Sequence, residues 1–275
     1  MLSLAVLNDD TTGVVLYEGI SSIDQKPIVA IATLKTSNTK TGNLIQTWIM
    51  RQDINPMQAI KSNEDYSVCG NCIHRGPGDG KDRSCYVNVG QAPLNIFKCY
   101  KKGRYRNNLK DSELELVLAG RLLRLGSYGD PAALPYELCE KLVKFSVGNT
   151  GYTHQWKTCD DRFKNILMAS CDNLDDYWEA RGRGWRTFRV RAEDESLEKG
   201  EFICPASAEQ NNRLTCEQCL SCSGTRFGKM GVRAGNVCIV VHGSKSKLSA
   251  YEKNTSRQLL IEAGAAPSNG TENFT

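Results

Sequence analysis

Apolar positions along this chain come in short runs with changing period. Val14–Tyr17, Pro27–Leu34 and Leu44–Met50 are rich in β-branched or aromatic residues and flanked by Gly, Asn, Asp or Ser, which predicts three strands. Residues 61–90 carry no such period and read as a loop region, loosest at Gly76-Pro77-Gly78-Asp79-Gly80. Ala92–Lys102 has helical spacing, with Ile96, Phe97 and Tyr100 as its apolar stripe. Asp111 opens another helix, with Ser112 and Glu115 spaced as a capping box. Strand and helix then alternate. Strands are predicted at Arg121–Gly126, Gly151–Gln155, Asn165–Cys171, Arg186–Arg191, Glu201–Cys204 and Val237–His242, and helices at Leu134–Phe145 and Leu174–Arg183. Strands separated by helical pieces imply parallel βα units. They are too few for a full eight-stranded barrel. The expected fold is α/β: a partial parallel (β/α) barrel over 106–263, preceded by a β-rich N-terminal segment (1–60) and a Cys-rich loop and helix (61–105). An open sheet is the alternative, and a disordered tail is expected over 264–275.

Composition narrows the setting. The 275 residues carry a formal charge of +4, which permits an anionic partner without requiring one. The opening MLSLAVLNDD lacks a basic n-region, so no signal peptide is read. No apolar run reaches the roughly 18 residues of a spanning helix, so no membrane is expected. The expected location is the cytoplasm, where structural disulfides are disfavoured. Twelve cysteines there point to metal.

Seven of them form two clusters. Cys204-Pro205 is followed by Cys216-x-x-Cys219-x-x-Cys222. Three thiolates within seven residues plus a remote Cys-Pro resemble the ligand set of a ferredoxin-type 4Fe-4S cluster, although here the remote cysteine comes first. A Cys₄ zinc site is the alternative. The other cluster is Cys69-x-x-Cys72 with Cys85. His74 as fourth ligand would close a Cys₃His zinc site; an open position would leave an iron free for a ligand. Cys139 and Cys238 read as core residues.

Parallel α/β folds gather their sites at the C-terminal ends of strands. The predicted strand ends here hold Ser127-Tyr128-Gly129-Asp130-Pro131, Thr153-His154-Gln155-Trp156, Ser170-Cys171-Asp172, Arg189 with Arg191, Cys204-Pro205 and His242-Gly243. Asp130, His154 and His242 are therefore catalytic candidates, and Tyr128, Gly129, Asp130, Arg189 and Arg191 cofactor-binding candidates. Asp172 reads as a helix N-cap, and capping competes at Asp130. Arg181 to Arg191 interleaves arginines with Trp185 and Phe188, a pattern that can grip phosphates and stack bases. Strand alternation also explains it, with Phe188 and Val190 inward and the arginines outward.

Lys40-Thr41-Gly42 with Gln46-Thr47-Trp48-Ile49, Val68 to Arg75, Ser84 to Pro93, Gly126 to Pro131, Gly151 to Trp156 and the Cys204–Cys222 set together resemble a family of uncharacterised cysteine-rich bacteriophage proteins. The resemblance covers about residues 14–242 and implies a phage protein acting in the host cytoplasm. The strand at 121–126 with Gly129-Asp130-Pro131 is also similar to the strand and Gly-Glu-Pro turn that contacts S-adenosylmethionine in radical enzymes. Those enzymes are partial barrels with a three-cysteine cluster, but their usual Cys-x-x-x-Cys-x-x-Cys is absent here. This second resemblance implies an iron–sulfur enzyme acting on a nucleotide or peptide. The alternative is a non-enzymatic zinc-stapled protein that binds a host protein or nucleic acid.

Overall fold

The computed structural model describes residues 11–225 and 235–262. The tail expected from 264 lies outside the described residues. In chain order the elements are β1 (Gly13–Ile20), β2 (Pro27–Thr33), β3 (Ile45–Arg51), α1 (Pro56–Lys61), α2 (Tyr66–Cys69), α3 (Ala92–Lys101), α4 (Asp111–Leu118), β4 (Leu122–Tyr128), α5 (Tyr136–Phe145), β5 (Gly148–Thr150), β6 (Tyr152–Thr153), β7 (Met168–Cys171), α6 (Leu174–Gly182), β8 (Thr187–Arg191), β9 (Glu201–Ile203), α7 (Cys216–Cys219), β10 (Asn236–Val240) and α8 (Lys245–Glu262).

The chain is mixed α/β with two mostly parallel sheets. The first has the order β1-β2-β3-β4-β5 and the second β6-β7-β8-β10-β9. The pairings of β2 with β1 and β3 are antiparallel; the other six are parallel. The predicted N-terminal strands thus continue into the same sheet as β4, through the pairing Ile45↔Leu123. β2 lies between neighbours on both edges, and its run Val29-Ala30-Ile31-Ala32 is wholly buried, as an apolar run without alternation should be.

Helices cover these sheets. α5 packs on β4, α4 on α5, α6 on β7 and β8, and α1 and α3 on β3. α1 begins where Asn55 accepts from the Gln58 amide and Pro56 occupies the first turn. The capping box expected from Ser112 and Glu115 falls two residues earlier: Glu113 accepts from the backbone N–H of Lys110. The region 61–90, expected as loop, contains α2. The long helix α8 has no counterpart in the sequence reading. No helix among the described residues is long and apolar enough to cross a membrane.

A single residue joins the two sheets. β5 pairs with β4 and β6 with β7, and only Gly151 separates β5 from β6. A Cβ on Gly151 would lie 2.7 Å from the Leu167 side chain and 3.0 Å from that of Leu125, so glycine is required by close approach. Its N–H donates to the Cys222 carbonyl at 2.8 Å, and its carbonyl accepts from Met168 N–H at 3.1 Å.

Candidate metal centres around one cavity

A cavity of about 320 Å³ lies where the strand ends converge, and it is lined by residues of both cysteine clusters. Cys69, Cys72 and Cys85 face it, and so do Cys204, Cys216, Cys219 and Cys222. All twelve cysteines are free thiols.

The first set is built at the C-terminus of α2. Cys69 ends that helix, and Gly70 at φ +51° turns the chain so that Cys72 N–H donates to the Cys69 carbonyl. Gly76, Gly78 and Gly80 adopt positive φ, and the loop they form returns Cys85 to donate to the His74 carbonyl at 3.1 Å. The strand ends then clamp the turn. Gln155 Nε2 donates to the Cys69 carbonyl and its Oε1 accepts from Asn71 N–H. Asp65, fully buried, pairs with Arg75 at 2.8 Å and with Arg83 at 2.7 Å.

Beside this set stands a polar triad. Asp172 lies 3.0 Å from His74 Nε2 and 3.2 Å from His154 Nε2, and His154 Nε2 lies 3.7 Å from Cys72 Sγ. His74 Nδ1 meets Ser84 Oγ at 2.8 Å. Burial alone would raise the Asp172 carboxyl, but the two imidazoles hold it well below the usual carboxylate range. Burial opposes charge on His154, yet Cys72 and Asp172 raise it well above the ordinary imidazole value. Burial also pushes the Cys72 thiol up, and the neighbouring imidazoles outweigh it, leaving Cys72 below its ordinary value. Asp172 is therefore not the helix cap the sequence suggested. Asn173 caps α6 by accepting from Asp176 N–H, which frees Asp172 to bridge the two histidines.

The second set hangs between β9 and β10. Cys204 N–H donates to the Cys238 carbonyl, extending the β9–β10 pairing by one residue. α7 presents Cys216 and Cys219, and Thr215 and Gln218 cap it reciprocally. The Lys40 and Thr41 carbonyls accept from the Cys216 and Glu217 amides, both at 3.0 Å. Burial raises Cys222 well above the ordinary thiol value, and Cys204, Cys216 and Cys219 add to the rise.

The four candidates Tyr128, Gly129, His154 and His242 line the cavity with Asp130. Asp130 is committed to the backbone: its Oδ1 accepts from Ala132 N–H and its Oδ2 from His154 N–H. It is a cap, and it positions His154. Arg189 and Arg191 are corrected. Phe188 and Val190 face the cavity, so alternation puts both arginines on the other face of β8. That face is not solvent. Arg189 is fully buried against Glu201 and Glu195, and Arg191 pairs with Glu209. Their guanidiniums are spent on neighbouring carboxylates and do not reach a ligand in this cavity.

Among the described residues, His74, His154 and Asp172 are the one group of three whose donor atoms all lie within 4.8 Å of one another. Neither thiolate set is drawn in that tightly. Family models, curated proteins and solved structures contain no match to this chain.

Sequence reasoning missed Asp172 as a bridge, and it missed Arg124, Tyr86 and Tyr152 in the lining. It quoted Lys40-Thr41-Gly42 without giving it a role. The three residues brace α7, and a Cβ at Gly42 would strike Glu217.

Proposed function

We propose that this chain is an iron–sulfur enzyme, related to radical S-adenosylmethionine enzymes, that acts on a small substrate between two cysteine-held centres. The observation that carries the reading is the single cavity shared by both cysteine sets. Cys204, Cys216, Cys219 and Cys222 would hold a four-iron cluster fully ligated by protein. Cys69, Cys72 and Cys85 would hold a second with one iron open. The donors fit such groups. They are soft sulfur ligands, which iron–sulfur clusters require and zinc also accepts. Neither set has three sulfurs within 4.8 Å. When bound, an open-iron cluster supplies an electron and a coordination site for S-adenosylmethionine.

The chain's own residues support the same assignment. Ser127 and Tyr128 line the cavity, and their buried hydroxyls have no partner among the described residues, which leaves them available to a cofactor. Gly126 and Gly129 adopt positive φ at the end of β4, and a Cβ at Gly129 would lie 2.5 Å from the Ile49 carbonyl. His154 and His74, held by Asp172, place imidazoles beside Cys72. The run of parallel pairings from β3 through both sheets is what a partial (β/α) barrel requires. Phage origin and a nucleotide or peptide substrate belong to this proposal through the sequence resemblances.

A second reading is a zinc-stapled binding protein of host factors or nucleic acid. The compact His74–His154–Asp172 group favours it, because two imidazoles and a carboxylate suit zinc. Anaerobic purification with iron, sulfide and zinc analysis separates the two. The enzyme reading expects a brown protein with about eight irons per chain, and S-adenosylmethionine binding by calorimetry that Cys72→Ala abolishes. A colourless protein with stoichiometric zinc and no such binding would replace it with the second reading.

A further inference from the structure

One wall of the cavity is apolar. Phe188 and Val190 of β8 sit in register beside Val237 and Ile239 of β10, and all four face the cavity. Into the same cavity projects one guanidinium, that of Arg124 on β4, whose residue is only 8% exposed. Its Nη2 donates to Tyr152 Oη at 2.7 Å and to Tyr86 Oη at 3.4 Å. Its register partner on β5 is Thr150, also buried in the lining, whose hydroxyl has no partner among the described residues.

Among the described residues no carboxylate pairs with Arg124. The other buried arginines of the ion-pair networks behave differently. Arg51 has Asp53 and Glu64, Arg75 has Asp65, Arg189 has Glu195 and Glu201, and Arg191 has Glu209. A buried guanidinium presents five donors and is costly to bury without an anion. Two neutral phenols satisfy part of one nitrogen, and the Nε and Nη1 donors have no protein partner among the described residues.

We propose that Arg124 and Thr150 form an oxyanion subsite that takes the carboxylate or phosphate of a small substrate whose apolar body lies on the Phe188–Val190–Val237–Ile239 wall. The inference rests on reading this cavity as the reaction site. A planar guanidinium receives either oxyanion through paired N–H donors, and the Thr150 hydroxyl adds a third. The competing role for Arg124 is counter-charge to the second cysteine set, since Cys216 adds to the forces holding it charged.

Benzoate, phenyl phosphate and the neutral benzamide are titrated by calorimetry into the anaerobically purified protein with its metal in place. At least one anion should bind about tenfold or more tightly than benzamide, and the stronger of the two names the substrate's acid group. Arg124→Gln should remove that preference while leaving benzamide unchanged, Arg124→Lys should keep part of it, and Thr150→Val should lose about threefold. No binding of either anion to the wild type overturns the subsite. So does an anion preference that survives in Arg124→Gln, or a variant whose only change is loss of iron and sulfide. A zinc-bearing, colourless wild type that still prefers anions through Arg124 would uphold the subsite and dismiss the iron–sulfur reading.

Discussion

A buried side-chain network surrounds Cys69, Cys72 and Cys85, whereas the loop bearing Cys204, Cys216, Cys219 and Cys222 is tied down at scattered points of backbone and side chain. Around the first set stand Asp65 with two arginines, Gln155 clamping the turn, and Asp172 between two histidines. Around the second, main-chain bonds reach Lys40, Thr41, Gly151 and Cys238, and a few side chains add to them: Arg191 pairs with Glu209, Arg186 donates to the Gly224 carbonyl, and Glu217 accepts from Asn43 N–H. A set locked by polar side chains keeps its shape whatever it binds, which suits a site that must receive a ligand. A loop fixed at scattered points depends more on what its thiolates hold, which suits a fully ligated centre.

The comparison breaks most visibly at the second set. Cys219→Ala should lose about half of the iron and several kcal/mol of stability, on the order of 10 °C in melting midpoint. Limited proteolysis should then cut within 205–224. If that loop stays resistant, the distinction drawn between the two sets is wrong. Next in size is Asp65→Asn. It strips the buried Arg75 and the half-buried Arg83 of their carboxylate and should cost about 3–5 kcal/mol in urea denaturation. Iron at the second set should survive, which metal analysis of an Asp65→Asn, Cys72→Ala double variant would reveal.

Asp172→Asn is expected to be milder, about 1.5–3 kcal/mol, because the amide keeps the shape while losing charge-assisted bonds to His74 and His154. S-adenosylmethionine affinity should fall with it, and the Cys204–Cys222 iron should not. The smallest effect is assigned to Thr215→Ala, about 1 kcal/mol from an uncapped α7. It should speed metal loss to a chelator at the second set and leave the first untouched; equal acceleration at both would show that the sets are not independently held.

Strand positions were legible because β-branched runs bounded by turn residues carry their own signal. β1, β2 and β3 lie within a few residues of where Val14–Tyr17, Pro27–Leu34 and Leu44–Met50 put them. α8 was not legible, because among the residues of 245–260 only Ala250, Tyr251 and Asn254 are buried and they form no continuous apolar stripe. Yet it matters: Tyr251 stacks on His74 with ring centroids 5.8 Å apart and donates to the Asp172 carbonyl. At the site, cysteine spacing grouped residues that the fold brings to the cavity wall, since residues close in sequence stay close in space. Asp172 and Arg124 were missed for the opposite reason. Their roles come from residues 18 to 98 positions away, Arg124 meeting Tyr152 and Asp172 meeting His74, and no local pattern encodes such meetings. Arg189 and Arg191 misled because alternation says which residues share a face, not whether a helix or carboxylate covers it.

Gly151 has a consequence for how the molecule comes apart. The stretch 148–153 is an edge strand of one sheet for three residues and of the other for two, with that glycine as the hinge pin between them. Neither sheet can shed this edge without pulling on its neighbour, so the halves are denied separate melting. Heat or denaturant should meet one cooperative transition, where two independently held sheets would give two. A methyl group at position 151, with no contact to any thiol, should be enough to split that transition.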